Sequence, residues 1–158
     1  MRRMGKAFKA ESVIRRPIED VWARLTDWAN AGEWMRAARG AEYTTFGDEA
    51  HGVGSNIRFF RNGGFLVAEI SAWDPPEILQ LGTRSQMLGS TVETTHTYLL
   101  DHVTDSVTSV ALETWCMVEG PAKVLTPIIE INRRISDRFQ PTLLKDLMEL
   151  DLVDTALP

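Results

Sequence analysis

Three side chains set in otherwise apolar or threonine-rich stretches have the types that acid–base chemistry needs: His96, Tyr98 and Glu69. Histidine titrates near neutrality, so His96 suits a general base or a donor to a ligand oxygen. Tyr98 lies two residues on, hence on the same strand face, and suits a donor that holds an enolate oxygen. Glu69 and Glu113 would have their carboxyl groups pushed up if a strand turned them into a dry cavity. Arg58 and Arg84 suit a pairing with such a carboxylate, or a fork onto a ligand's carboxylate or enolate. Each also has a plainer role, as a hydrogen-bonded histidine or as charges on a wetted sheet face. The histidines at 51, 96 and 102 show no metal-ligand spacing, so no metal is expected. Gly52-Val53-Gly54 lacks the third glycine of a dinucleotide fingerprint and leads into a strand. No nucleophile elbow, phosphate loop or Cys/His pair appears, and no cofactor is expected.

The elements that must position these groups are strands in series followed by a helix. Phe8 to Arg15 nearly alternates apolar and polar residues and predicts a first strand. Pro17 stands where a helix begins, with Glu19 and Asp20 in its first turn. Val21, Trp22, Leu25 and Trp28 give that helix an apolar face over 18–28, and Glu33-Trp34-Met35 adds a short turn. Further strands are predicted at 41–46, 53–60, 65–73, 77–85, 90–100 and 106–118. Asn62-Gly63-Gly64 is a hairpin signal, Asp74-Pro75-Pro76 forces a reversal, and Gly89-Ser90 and Asp101–Asp105 mark the other turns. Loops this short imply an antiparallel meander.

From Gly120-Pro121 to Leu150, Val124, Ile128, Ile131, Ile135, Phe139, Leu143, Leu147 and Leu150 fall at steps of three and four. That spacing predicts one long amphipathic helix over 121–150, roughly 45 Å at helical rise. Pro127 and Pro141 lack amide donors and should kink or interrupt it, with 121–126 a loop or separate turn if the helix starts near Pro127. Such a helix needs an apolar surface, and the sheet is the partner on offer. Function is expected in the space between them.

The 158 residues suit one domain with a sizeable core, placed at 7–151. A net charge of −5 and a pI near 5.2 disfavour electrostatic binding to nucleic acid or to anionic membrane. Cys116 is the only cysteine, which excludes an internal disulfide. The basic start of the chain precedes no apolar signal region and no stretch is long enough to span a bilayer, so a cytoplasmic protein without an integral membrane segment is expected.

Strand, helix, six strands and a long helix form a discriminating order. Along it lie Ala10-Glu11-Ser12-Val13-Ile14-Arg15-Arg16-Pro17-Ile18-Glu19-Asp20-Val21-Trp22, then Leu25, Asp27 and Trp34. Val53-Gly54-Ser55, Trp73-Asp74-Pro75-Pro76-Glu77-Ile78-Leu79 and Leu143-Leu144-Lys145-Asp146-Leu147 follow. From residue 8 to 150 this run resembles the polyketide cyclase/dehydrase and lipid-transport family, within the START-like superfamily that also contains the birch-pollen allergen Bet v 1. The resemblance implies the α+β helix-grip fold: a curved seven-stranded antiparallel sheet around the C-terminal helix, with a pocket between. It implies little about the reaction, because the superfamily mixes carriers, cyclases, hydrolases and chaperone activators. It also implies that Trp34 borders the cavity; a hydrophobic plug at the base of the sheet is the alternative.

Strand side chains alternate faces, so each strand offers two candidate linings. On 90–100 the bulkier set, Val92, Thr94, His96, Tyr98 and Leu100, is assigned inward. On 65–73, Phe65, Val67, Glu69, Ser71 and Trp73 compete with Leu66, Ala68, Ile70 and Ala72; on 57–60, Ile57 and Phe59 compete with Arg58 and Phe60. The candidate ligand-binding residues are Trp34, Phe59, Val67, Trp73, Arg84, Val92, His96, Tyr98, Trp115, Ile131 and Ile135. The expected partner is a hydrophobic small molecule, such as a lipid, polyketide or aromatic metabolite, held by a monomer or homodimer. The alternative is a cyclase or dehydratase in which His96, Tyr98 or Glu69 handles protons. A protein-interaction role would show as an exposed apolar patch on the convex face of the sheet.

Overall fold

The computed structural model of the protein describes residues 8–35, 38–45, 52–138 and 140–156; Phe46 and Phe139, assigned above to a strand and to the apolar stripe, lie outside them. Seven strands, β1 (Phe8–Ile14), β2 (Gly40–Thr45), β3 (Asn56–Arg61), β4 (Gly64–Asp74), β5 (Ile78–Met87), β6 (Ser90–Thr104) and β7 (Val107–Glu119), make one antiparallel sheet. Its order is β1-β7-β6-β5-β4-β3-β2, so consecutive strands are neighbours everywhere except at the crossing from β1 to β2. That crossing carries helix α1 (Ile18–Leu25) and a 3-10 turn at Trp28–Glu33. α1 is shorter than its sequence pattern predicts. Thr26 bonds back to the Trp22 carbonyl through both its amide and its hydroxyl, and Asp27 then takes an extended ψ of 79°. The helix therefore closes one turn before Trp28.

Turn chemistry acts as read. The β3–β4 hairpin pairs Arg61 with Gly64, and Gly63 takes φ +81° in the two-residue loop between them. Gly120, at the exit of β7, has φ +117°, and a Cβ there would meet the Ser90 backbone at 3.0 Å. Only glycine lets the chain pass this close, and the Ser90 hydroxyl then accepts the Ala122 amide at 2.7 Å.

The C-terminal stripe becomes three pieces rather than one rod: a 3-10 turn at Pro121–Leu125, α2 (Thr126–Asp137) and α3 (Gln140–Ala156). Pro127 and Pro141 each stand second in their helices, where a missing amide costs nothing. The break changes which residues face the sheet. On α3, Gln140, Pro141, Leu144 and Met148 are buried, while Leu143 and Leu147 are only partly so. Leu125 of the 3-10 turn and Ile129 of α2 pack against Val92, Cys116, Val118 and Ala122, whereas Val124 of the turn and Ile128 and Ile131 of α2 face solvent.

The main core lies between the concave sheet face, α1 and α3. Ile18, Val21, Trp22 and Leu25 of α1 meet Ile57, Ile70, Leu79, Leu112, Leu144 and Met148. Burying an aliphatic side chain of this size contributes about 1.5–3 kcal/mol. A bulge between Ile70 and Ala72 decides the face of β4 that alternation left open. Ala68 and Ile70 point into the core, Val67 and Glu69 point out, and beyond the extra residue Trp73 turns inward opposite Leu79. On β3, Ile57 and Phe59 are the buried pair.

Candidate functional site

A cavity of about 80 Å³ lies between the sheet and the junction of α2 with α3. Its walls are apolar: Met35 and Ala38 before β2, Phe59 on β3, Leu66 and Ala68 on β4, and Leu81 on β5. Exposed Arg61 and partly exposed Thr83 stand at its rim. His96, Tyr98, Asp137 and Gln140 form a polar end.

The strand register and the helix break assemble that end. Alternation along β6 puts His96 and Tyr98 on one face, and antiparallel pairing sets Thr114 of β7 directly opposite His96. Asp137 ends α2 and Gln140 begins α3, so both hang over these strands. The His96 Nε2 lies 2.9 Å from Asp137 Oδ2, and the Thr114 hydroxyl donates to the same oxygen at 3.1 Å. Gln140 Nε2 donates to Asp137 Oδ1 at 3.1 Å, and the Tyr98 hydroxyl donates to Gln140 Oε1 at 2.7 Å. Asp137 is only 3% exposed, so three donors converge on a carboxyl cut off from water.

Where Asp137 is ionised and His96 neutral, the carboxylate only accepts, so the imidazole proton sits on Nε2 and Nδ1 keeps its lone pair. No hydrogen bond to Nδ1 occurs among the described residues, and the ring remains 14% exposed toward the cavity. Burial, reinforced by the Asp137 charge, pushes the Tyr98 hydroxyl far above its ordinary range. Tyr98 is therefore a neutral donor and not a base. A histidine held in one tautomer by a buried carboxylate, with its second nitrogen open to an apolar space, can accept a guest's proton or hydrogen bond.

Of the residues that the sequence marks as candidates, Phe59, His96 and Tyr98 line this cavity. Trp34 is buried with its ring 6.1 Å from that of Tyr98, in an edge contact behind the cavity wall. Trp73 packs against Trp22 at 5.1 Å, outside the cavity. Val92 belongs to the small cluster under α2. Val67, Glu69 and Arg84 line a groove on the outer sheet face: Val67 and Glu69 precede the bulge in the outward phase, and Arg84 alternates with inward Leu79 and Leu81 on β5. Arg84 there faces Glu93 at 3.7 Å, and Glu69 is exposed, which removes it as a cavity acid. Arg58 also points outward, over the Phe65 ring. Trp115 falls between inward Thr114 and Cys116 and so stands on the outer face. Ile131 is 55% exposed, and the side chain of Ile135 is outside the described set. The residues that sequence reading missed are Asp137, Gln140 and Thr114. The only available signal was two polar residues, three apart, next to a proline inside an apolar stripe.

The family model described as polyketide cyclase/dehydrase and lipid transport matches residues 6–149. No curated protein matches the chain. Among solved structures, an aromatase/cyclase from a Streptomyces species is similar with a TM-score of 0.75 at 10% identity, over 98% of this chain and 99% of that one. The di-domain ARO/CYC BexL is similar with a TM-score of 0.76 at 15% identity; 92% of this chain is covered, and it spans 47% of that protein. A START superfamily protein from Mycobacterium smegmatis gives 0.56 at 11% identity, over 85% of this chain and 97% of the other. At these identities the likeness is one of fold: a seven-stranded antiparallel curved sheet with a C-terminal helix, the helix-grip arrangement.

Proposed function

Because the chain belongs to the polyketide cyclase/dehydrase and lipid-transport family, we propose that it binds a hydrophobic small molecule bearing a phenolic or other hydroxyl group between the sheet and the α2–α3 junction. The observation that carries this reading is an apolar cavity with one polar end, at which His96 offers a ring nitrogen that Asp137 does not occupy. The space of about 80 Å³ is enough for several waters. It is below the roughly 300–1,000 Å³ of ordinary ligand pockets. A larger guest therefore enters by displacing the rim at Arg61 or the helix junction. Binding is measured by displacement of a fluorescent apolar dye and by native mass spectrometry of protein purified from cells. Ala68→Phe, which fills the cavity from its floor, should abolish dye binding without unfolding the protein. His96→Ala should weaken binding of an apolar phenol roughly tenfold, the loss of one hydrogen bond to a polar group. Dye binding that survives Ala68→Phe would show that the guest sits elsewhere.

The fixed imidazole tautomer favours a second reading, proton abstraction beside a substrate ketone. His96 Nδ1 would take the α-proton, the C–H electron pair would pass into the enolate, and the resulting imidazolium would lie against Asp137. Aromatase/cyclases share this fold, which supports the reading without assigning a substrate. In an assay that shows turnover, His96→Ala should lower the rate roughly 10²–10⁴-fold, the usual worth of a positioned general base.

A further inference from the structure

Resting on the binding reading above, we propose that the guest of the sheet–helix cavity is an elongated amphipathic carboxylate whose anionic end is held by Arg61. The inward phase of β3 runs Ile57, Phe59, Arg61. The first two are buried, and the third sets a guanidinium at the cavity rim beside the β3–β4 hairpin. An exposed arginine is ordinary. This one differs in having no acid partner. Arg15, Arg24, Arg58 and Arg84 each have a carboxylate within 3.7 Å, from Glu149, Asp27, Glu42 and Glu93. Among the described residues no carboxylate pairs with Arg61. The acid in the cavity lining, Asp137, stands at the polar end, where three donors already converge on it.

The two ends stand well apart. His96 is on β6 and Arg61 on β3 with β5 and β4 between, three strand spacings or roughly 14 Å at about 4.8 Å each. The lining between them is apolar: Leu81, Ala68, Leu66 and Phe59. A guest that meets both ends therefore carries a hydroxyl, a long apolar body and an anion, in that order. A wholly neutral guest gains nothing from a guanidinium at the mouth. A carboxylate gains a two-pronged partner there and stays half in water, so it avoids the cost of burying its charge. One guanidinium balances one negative charge, which is what a carboxylate carries; a phosphate monoester carries nearer two. The protein's net charge of −5 disfavours free anions at long range. The apolar body must then supply most of the affinity, and Arg61 selects which end of the guest stays outside.

The test is calorimetric titration of the full chain with three probes of one skeleton: para-octylphenol, ω-(para-hydroxyphenyl)octanoate and the methyl ester of that acid. The acid should bind roughly fivefold more tightly than its ester, the upper end for an ion pair in contact with water, and the preference should shrink at high salt. Arg61→Gln should bring acid and ester level. Arg61→Lys, which keeps the charge without the fork, should keep part of the preference. Arg84→Gln, which removes a cation from the outer sheet face, should leave the preference as it is in the wild type. Circular dichroism should show every variant folded, because both arginines are exposed. Equal affinity of the wild type for acid and ester would overturn the proposal. So would a preference that Arg61→Gln leaves intact, or one that Arg84→Gln abolishes. Binding of para-octylphenol with no preference for the acid sinks this inference alone, whereas a phenol that fails to bind removes the cavity reading beneath it.

Discussion

At one end of the core, aromatic rings fill the space between α1 and the sheet: Trp22 on Trp73, and Trp28 edge-on to both Tyr43 and Phe59. At the other end, the same sheet meets the α2–α3 junction across a cavity and a chain of hydrogen bonds from Tyr98 through Gln140 and Asp137 to His96. Phe59 and Tyr98 are the shared wall, each with a ring against a tryptophan and a surface on the cavity. The difference lies in what fixes each half. The aromatic end is held by shape and apolar area, so it tolerates no loss of volume. The polar end is held by matched donors and acceptors around a hollow, so it tolerates changes of volume better than changes of charge.

This contrast can be broken in three ways, taken from the largest expected effect to the smallest. Leu79→Ala, in the fully buried position opposite Trp73, should cost about 2–5 kcal/mol in urea unfolding and leave dye binding unchanged. A parallel loss of binding would mean that the two ends are one mechanical unit. Asp137→Asn keeps the volume but removes an acceptor, so one of three donors must face an amide NH₂. It should cost about 1–3 kcal/mol, and the His96 ring nitrogens should change their NMR tautomer signature while the aromatic cluster's shifts hold still. Tyr98→Phe should cost about 0.5–1.5 kcal/mol near neutral pH, one neutral hydrogen bond. Its pH dependence is the sharper readout. The folded Tyr98 hydroxyl titrates above its unfolded value, so its contribution is complete below about pH 10 and is lost as pH rises beyond it. Wild-type stability should therefore fall in that alkaline range more steeply than that of Tyr98→Phe. Tyr43, also pushed up by burial, should leave a residual slope in both. Identical slopes would place the Tyr98 hydroxyl in water.

The same contrast explains what the sequence made legible. Turn residues and strand alternation are local properties, and they correctly located the seven strands, the hairpin at Asn62-Gly63 and the inward face that carries His96 and Tyr98. The polar end is a relation between β6, β7 and a helix break, which no local pattern encodes. Asp137 and Gln140 therefore went unseen beside the louder stripe of Ile131, Phe139 and Leu143. That stripe misled because periodicity cannot tell a helix's core face from an exposed apolar one, and the break after Asp137 changes which residues meet the sheet. Val67 and Glu69 were misplaced because alternation carries no mark for a bulge, whereas Arg84 follows the plain alternation of β5, whose inward residues are Leu79 and Leu81.

Ser71, the extra residue in β4, has a consequence for how this chain can vary. Upstream of it, even-numbered positions such as Ala68 and Ile70 face inward; downstream, the odd-numbered Trp73 does. One ribbon thus carries two independent reading phases, and its two compartments are specified by separate letters. Removing that single residue would leave a regular ladder in which Ile70 and Trp73 keep their inward faces, and would take away only the bend that the bulge gives the strand. The bulge thus sets the angle at which the cavity floor at Ala68 meets the tryptophan cluster at Trp73.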